Sequence, residues 1–268
     1  MRKTLRAQIF RADARRLRLG SRVAAAGTGN LKTLVIIPTY NERDCIRELL
    51  AAVHSHLPEC DVLVVDDASP DGTGALVEQI AAIDPRVSLR ERAGKLGLGT
   101  AYIAGFRHAL AADYDCVIGM DADFSHDPAR LPQLVGALAR CDLAVGSRYV
   151  PGGATPDWKI SRRLLSRFGN WVARTCLDLP VRDCTTGYKC YRREALARLD
   201  LERIDLIGYA FLIETTYQCF RHGGRIEEIP ITFIDRRVGQ SKMSGAIMLE
   251  ALRYVMRRRW ERARKANV

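Results

Sequence analysis

The sequence predicts an α/β domain with a mostly parallel central sheet and helices on both faces. Three observations predict it. Short apolar runs of strand length recur along the chain, as buried strands do. Segments with apolar residues at helical spacing alternate with them, the pattern of a parallel sheet between helical layers. Polar and acidic residues collect where the strands end, and ligands in such folds gather beyond the carboxyl ends of the strands.

The elements follow in order. Thr33-Leu34-Val35-Ile36-Ile37 is a first buried strand, closed by Pro38-Thr39-Tyr40-Asn41-Glu42. Ile46, Leu49, Leu50, Val53 and Leu57 mark a helix. Asp61–Val65 is a second strand that runs into Asp66 and Asp67, and 68–73 is a turn. Leu76, Ile80 and Ile83 predict the next helix, and Val87-Ser88-Leu89 a weaker third strand. Gly94-Lys95-Leu96-Gly97-Leu98-Gly99 leads into a helix carrying Ile103, Phe106 and Leu110. Cys116-Val117-Ile118 is a strand ending at Gly119-Met120-Asp121-Ala122-Asp123. A helix with Leu131, Leu134, Val135 and Leu138 precedes a strand at 143–146. Ile160, Leu164, Phe168, Trp171 and Val172 share one helical face among Arg162, Arg163, Arg167 and Arg174. Such a helix either lies in a membrane interface or packs on the core with its arginines outside. Gly208–Phe211 opens a helix containing Glu214, the stretches 226–231 and 233–236 are extended, and a last helix spans about 245–260.

Composition narrows the function. The 268 residues are 47% hydrophobic, enough for a core, yet no run approaches the roughly 18 apolar residues of a membrane span. The basic N-terminus has no apolar core and does not read as a secretory signal. Eight scattered Cys without a CxxC pair predict reduced thiols and no structural zinc. Residues 1–22 carry eight Lys/Arg against one Asp, and residues 251–268 seven against one Glu. The net charge of +11 therefore sits at the ends, and residues 23–250 sum to −2. The body is not a nucleic-acid binder and carries no motif of one. Basic ends suit an anionic lipid surface, each cation near it contributing about 1 kcal/mol. The chain divides into a basic appendage and linker (1–30, with Leu5, Ile9, Ala12 and Arg16 at helical spacing), a main domain (31–245) and a basic amphipathic helix (246–268).

The carboxylates carry the chemistry. Asp121 and Asp123, one residue apart at a strand's end, can converge on a hard divalent cation, Mg²⁺ or Mn²⁺. The alternative is a loop leading to an N-cap, because Asp127-Pro128 follows. The Gly-rich stretch 94–99 is neither a dinucleotide fingerprint nor a P-loop, which argues against a dehydrogenase and an NTPase.

Five ordered motifs then become specific: Pro-Thr-Tyr-Asn-Glu (38–42), Val-Asp-Asp-Ala-Ser-Pro-Asp-Gly-Thr (65–73), Lys-Leu-Gly-Leu-Gly-Thr-Ala-Tyr (95–102), Met-Asp-Ala-Asp-Phe-Ser-His (120–126) and Gly-Ser-Arg-Tyr (146–149). With the stretch from Asp183 to Arg192 and Arg236-Arg237-Val238-Gly239-Gln240-Ser241-Lys242, they cover about 32–245. The set resembles the inverting family-2 glycosyltransferases of GT-A fold, and more narrowly the dolichol- or polyprenol-phosphate mannose synthases.

The resemblance implies that Pro38, Tyr40, Glu42, Val65 and Asp67 hold the nucleoside of the donor, with Lys95 beside them. Asp66 reads instead as a turn cap. Asp121, Ala122 and Asp123 hold the diphosphate through the metal. Ser125 stands where some relatives carry Gln, which leaves a third protein ligand open. Asp183 shapes the sugar side of the pocket or caps a turn. Arg148, Arg162, Arg236 and Lys242 face the acceptor phosphate, and the loop with Arg236 and Lys242 closes over both substrates. The implied reaction transfers mannose from GDP-mannose to a polyprenyl monophosphate, with Asp123, Arg148, Arg236 and Lys242 as its catalytic groups. An anionic phosphate needs no general base, and none is evident. The implied partners are an anionic lipid surface and a membrane subunit, and the implied location is the cytoplasmic face of a membrane. Two alternatives stay open: a UDP-glucose or modified-sugar donor with the same acceptor, and a non-catalytic partner subunit.

Overall fold

A computed structural model describes residues 31–204, 206, 208–235 and 245–266, the side chains of 245–248, 263, 265 and 266 excepted. The predicted appendage at 1–30 and the loop with Arg236 and Lys242 lie outside the described residues. Seven strands form one sheet: β1 (Thr33–Thr39), β2 (Asp61–Asp66), β3 (Val87–Glu91), β4 (Cys116–Gly119), β5 (Leu143–Ser147), β6 (Lys189–Arg192) and β7 (Ile226–Pro230). Their order across the sheet is β3-β2-β1-β4-β6-β5-β7. All are parallel except β6, which runs against β4 on one side and β5 on the other.

The strands are continuously apolar because both faces are covered. Val35 and Ile37 point into a core with Ile46, Leu49 and Val53 of α1 (Arg43–His56), Val77 of α2 (Thr73–Ala81), and Leu131 and Leu134 of α4 (Leu131–Ala137). Leu34 and Ile36, alternating with them, meet Phe106 of α3 (Leu98–Ala111), Leu196 of α6 (Arg193–Ala197) and Phe211 of α7 (Tyr209–Arg221). That is the period-two alternation of a pleated strand with two apolar sides.

A third core joins α5 (Ile160–Leu177), α7 and α8 (Gly245–Ala266) through Ala173, Leu177, Ile213, Tyr217, Tyr254 and Val255. Buried Glu214 ties α7 to α8 by accepting from Tyr254 and Arg258. The large apolar residues of α5 point away from this core: Ile160 is 73% exposed, Phe168 60% and Trp171 58%. The helix buries its small face; of the predicted apolar stripe, Ile160, Leu164, Phe168 and Trp171 face outward, while Val172 packs against the core.

Three details depart from the sequence reading. Ile83, expected on a helical stripe, lies past the end of α2 and is 86% exposed. Asp84-Pro85 follows it, and the residue before a proline is driven out of helical geometry. Strand β6 was not expected, since Lys189–Arg192 is short and carries two cations. The stretch 233–235 forms no strand, and only Thr232 bridges to Ala154.

Candidate active site

The register places the predicted residues along one edge. Pro38 pairs with Val65 and Thr39 with Asp66, while Ile36 pairs with Gly119 on the other side. The carboxyl ends of β1, β2, β4 and β5 therefore open together. Because β6 is reversed, its beginning lies on this edge and brings the preceding segment, Asp183 to Gly187, into the site. Three turns leaving the strands hold non-glycine residues in left-handed geometry: Asn41 (φ 60°), Ala68 (φ 51°) and Phe124 (φ 61°). Strained backbone of this kind costs about 1–3 kcal/mol and clusters at functional sites.

On the donor side, Asp66 is fully buried and closes its own turn. It accepts from Thr39 Oγ1 (2.6 Å), Ser69 N (2.8 Å) and Ser69 Oγ (2.6 Å). Asp67, also buried, accepts from Arg92 Nε at 2.6 Å and Leu96 N at 3.2 Å. Arg92 donates onward to Thr100 Oγ1 and Gly97 O. The Gly-rich loop is thus pinned to Asp67, and Lys95 Nζ is set 4.3 Å above the Tyr40 ring. Glu42 caps α1, its N–H donating to Thr73 Oγ1. Sequence reasoning missed Arg92. It follows the end of β3 as the other site residues follow theirs, but the strand was expected to stop at Leu89.

At the centre, the cap read from Asp127-Pro128 is real and separate. Asp127 accepts from Ala129 N at the head of a short 3₁₀ turn, so capping does not consume Asp121 or Asp123. The Asp121 side chain is 34% exposed, whereas Ala122 and Asp123 are buried. Ser125 N donates to Asp123 Oδ1 at 3.0 Å. His126 is buried against the turn, and burial lowers its pKa below the ordinary value. Two buried hydroxyls beside these carboxylates, Ser125 Oγ and Tyr102 OH, have no hydrogen-bond partner. Tyr102 comes this close because position 119 is glycine, where a Cβ would stand 2.8 Å from the ring. Hard oxygens, two carboxylates and unsatisfied hydroxyls fit a Mg²⁺ or Mn²⁺ ion. No group of three or more His, Cys, Asp or Glu gathers for a metal among the described residues.

On the far side, Arg148 and Asp183 form a buried pair. Arg148 donates from Nε and Nη2 to the two carboxylate oxygens, each at 2.7 Å, from its backbone N at 3.0 Å, and from Nη2 to Thr185 Oγ1 at 2.8 Å. These bonds do not use Nη1. Burial opposes both charges, but attraction and hydrogen bonding outweigh it. They hold Asp183 below the usual carboxylate range and raise Arg148 further. Asp183 thus grips Arg148, a pairing that spacing along the chain could not show. Arg162 donates to Asp235 Oδ1 at 2.7 Å and lies 4.0 Å over the Trp158 ring.

Arg148, Thr185 and Arg162 stand at a groove of about 390 Å³ whose walls are apolar: Leu165 and Val172 of α5, Ile213 of α7, Leu252 of α8. One ring, Phe233, joins this groove to the centre. It meets His126 edge-on at 5.7 Å and lies 5.5 Å from the Arg148 guanidinium carbon.

A parallel sheet with this Asp-x-Asp turn at its carboxyl edge is the architecture of the GT-A glycosyltransferases. The chain matches the family described as Glycosyl transferase family 2 over residues 34–200 and belongs to it. It is 47% identical to an undecaprenyl-phosphate mannosyltransferase of Micrococcus luteus, covering 86% of this chain and 97% of that one. It is 46% identical to a polyprenol monophosphomannose synthase of Mycolicibacterium smegmatis, over 87% and 90% of the two chains. Among solved structures, glucosyl-3-phosphoglycerate synthase of Mycobacterium tuberculosis, in complex with Mn²⁺, UDP and phosphoglyceric acid, superposes with a TM-score of 0.65 at 20% identity. That match covers 88% of this chain and 80% of the other. A mannosyltransferase of Pyrobaculum calidifontis in complex with GDP-Man and Mn²⁺ gives 0.55 at 22% identity, over 80% and 59%. At such identities the structures share the fold alone.

Proposed function

We propose that this protein transfers mannose from GDP-mannose to a polyprenyl monophosphate with inversion, giving polyprenyl-phosphate-mannose. The observation that carries the reading is the separation of charge and grease on one edge. The Asp121/Asp123 turn lies one aromatic ring, Phe233, from Arg148, which with Arg162 lines an otherwise apolar groove. A lipid with an anionic head matches such a groove, and a nucleoside diphosphate matches the strand ends beside it. The names of the two relatives at 46–47% identity support mannose and a polyprenyl carrier.

Donor recognition falls to Pro38, Tyr40, Glu42, Val65, Asp67 and Lys95, with Asp121, Ala122 and Asp123 at the diphosphate. When bound there, a divalent cation supplies Lewis-acid stabilisation of the departing nucleoside diphosphate. The acceptor oxygen is already anionic, so no side chain has to remove a proton from it. The remaining barrier is the approach of two anions. Arg148, locked by Asp183, presents a fixed guanidinium to the acceptor phosphate, with Arg162 beside it. Preset charges stabilise a transition state without reorganising. Arg236 and Lys242, outside the described residues, retain this role from the motif they match.

The protein acts at a membrane surface, on its cytoplasmic face. Among the described residues no helix is long and apolar enough to cross a bilayer. The exposed Ile160, Leu164, Phe168 and Trp171 of α5, with Leu252, Met256 and Trp260 of α8, offer apolar contacts beside the groove. Arginines flank them, as in helices that lie in an interface.

The test is a panel of labelled nucleotide sugars offered with one polyprenyl phosphate and Mn²⁺ or Mg²⁺. Label from GDP-mannose should enter the lipid. Label entering only from UDP-glucose would replace the donor, and no transfer from any donor would leave a non-catalytic partner subunit.

A further inference from the structure

We propose that His126 is the positioning residue of the metal-binding turn and not one of its ligands. The inference rests on the reading of Asp121 and Asp123 as the metal carboxylates. The imidazole touches Asp121 at two places. The Asp121 amide donates to His126 Nδ1 at 3.0 Å, and His126 Nε2 stands 3.8 Å from Asp121 Oδ2. A backbone N–H can only donate, so the ring nitrogen facing it carries no proton. The neutral imidazole therefore has its hydrogen on Nε2, the nitrogen nearer the Asp121 carboxylate. Its one available lone pair is already spent on the peptide, and nothing on the ring remains to bind a cation.

The ring cannot turn to free that lone pair. It stacks on Tyr188 with centroids 4.8 Å apart and planes 13° from parallel, and Phe233 stands edge-on against it. Tyr188 is held in turn by its hydroxyl donating to Asp127 O at 2.9 Å. On the same flank Gly187 backs onto the turn: a Cβ there would lie 3.3 Å from Asp121 Oδ1 and 3.7 Å from His126 Cε1. Tyr188, the residue immediately before strand β6, thus supplies the plate on which the histidine is clamped. By binding the amide from inside and facing the carboxylate, His126 fixes where Asp121 points. The clamp also bears on the backbone beside it, because Phe124, between Asp123 and His126, is held in left-handed geometry at φ 61°, a strained conformation for a bulky side chain.

Mn²⁺ binding in the presence of GDP, measured by calorimetry, and the nitrogen couplings of the bound Mn²⁺, measured by pulsed electron paramagnetic resonance, together test this. The wild-type spectrum should show no directly bonded imidazole nitrogen. H126A should weaken Mn²⁺ binding by roughly 10–100-fold, the usual effect of losing an outer-shell partner. H126N, whose amide oxygen can accept from the Asp121 N–H, should recover about tenfold of that loss. An imidazole nitrogen bonded to Mn²⁺ in the wild type and absent in H126N would overturn the proposal, as would Mn²⁺ affinity unchanged in H126A. The wild-type spectrum needs no variant, so a poorly folding H126A leaves the test standing. Failure of the wild type to bind Mn²⁺ with GDP would overturn the metal reading itself, and the inference with it.

Discussion

Removing Arg148 should cost the fold as well as the reaction, and the two can be separated. In Arg148→Met the Asp183 carboxylate stays fully buried and loses both guanidinium hydrogen bonds, keeping those from the backbone amides of residues 148 and 185. Breaking one side of a buried pair typically costs about 3–5 kcal/mol. For a domain of this size each kcal/mol lowers Tm by roughly 2–4 °C, so a fall of about 6–20 °C is expected. Asp183→Asn strands the Arg148 charge and should also destabilise. The double variant should cost less than the sum of the singles by about 0.5–3 kcal/mol, the range for groups in direct contact. The sign with pH follows from Asp183, whose folded pKa is depressed. The unfolded state binds its proton first, so the contribution is present above the ordinary value of 3.8 and fades as pH falls below it toward the folded pKa. Urea unfolding of the four proteins at pH 7 and pH 3 measures all of this. Additive single effects, or an Arg148→Met loss under about 1 kcal/mol, would refute the pair as a structural clamp. Arg148→Lys, which keeps charge but not the fork, then isolates acceptor recognition at a smaller cost to the fold.

Three further outcomes are expected. Arg92→Met releases Asp67 and the Gly-rich loop and should weaken GDP binding by roughly tenfold to a hundredfold, the worth of a charge-assisted hydrogen bond. Calorimetry with GDP checks it, and unchanged affinity would remove Arg92 from the site. Phe168→Ser with Trp171→Ser should lower binding to anionic vesicles by about tenfold or more at unchanged Tm, since apolar surface leaves the lipid contact but not the core. Raising salt should weaken what binding remains, and equal sedimentation with vesicles before and after the change would exclude α5 from the lipid contact. Lys189 is fully buried, its ammonium donating to Leu212 O, and burial lowers its pKa to about 7. Its unfolded state holds the proton up to about 10.5, so stability relative to Lys189→Met should rise between pH 7 and 10.5. A flat difference across that window would show the lysine to be normally solvated.

The sheet was legible because its strands are apolar on both faces and end in chemistry-bearing residues; Val35 and Ile37 against Leu34 and Ile36 show why those runs are continuous. Strand β6 was not, since Lys189 and Arg192 hide a short strand whose burial is decided by its neighbours. With it went the reason that Asp183 and Thr185 meet Arg148, because only a reversed strand returns that segment to the site edge. The apolar stripe of α5 was visible in the sequence, but its direction was not. Periodicity fixes which residues share a face, and only the packing of Ala173 and Leu177 shows that the stripe is the outer one. His126 stood inside a quoted motif, yet its role depends on which ring nitrogen faces the Asp121 amide, a matter of geometry alone.

The most direct measurement is transfer of label from GDP-mannose to polyprenyl phosphate by the purified protein, beside Asp121→Asn, Asp123→Asn and a chelator. The site predicts a labelled lipid phosphate from the wild type with Mg²⁺ or Mn²⁺. It predicts background levels from either variant and from the chelated enzyme, with far-UV circular dichroism unchanged because both carboxylates lie beyond the sheet edge. Labelled lipid formed by a variant in the presence of chelator, or no labelled lipid from the wild type with either metal, would contradict it.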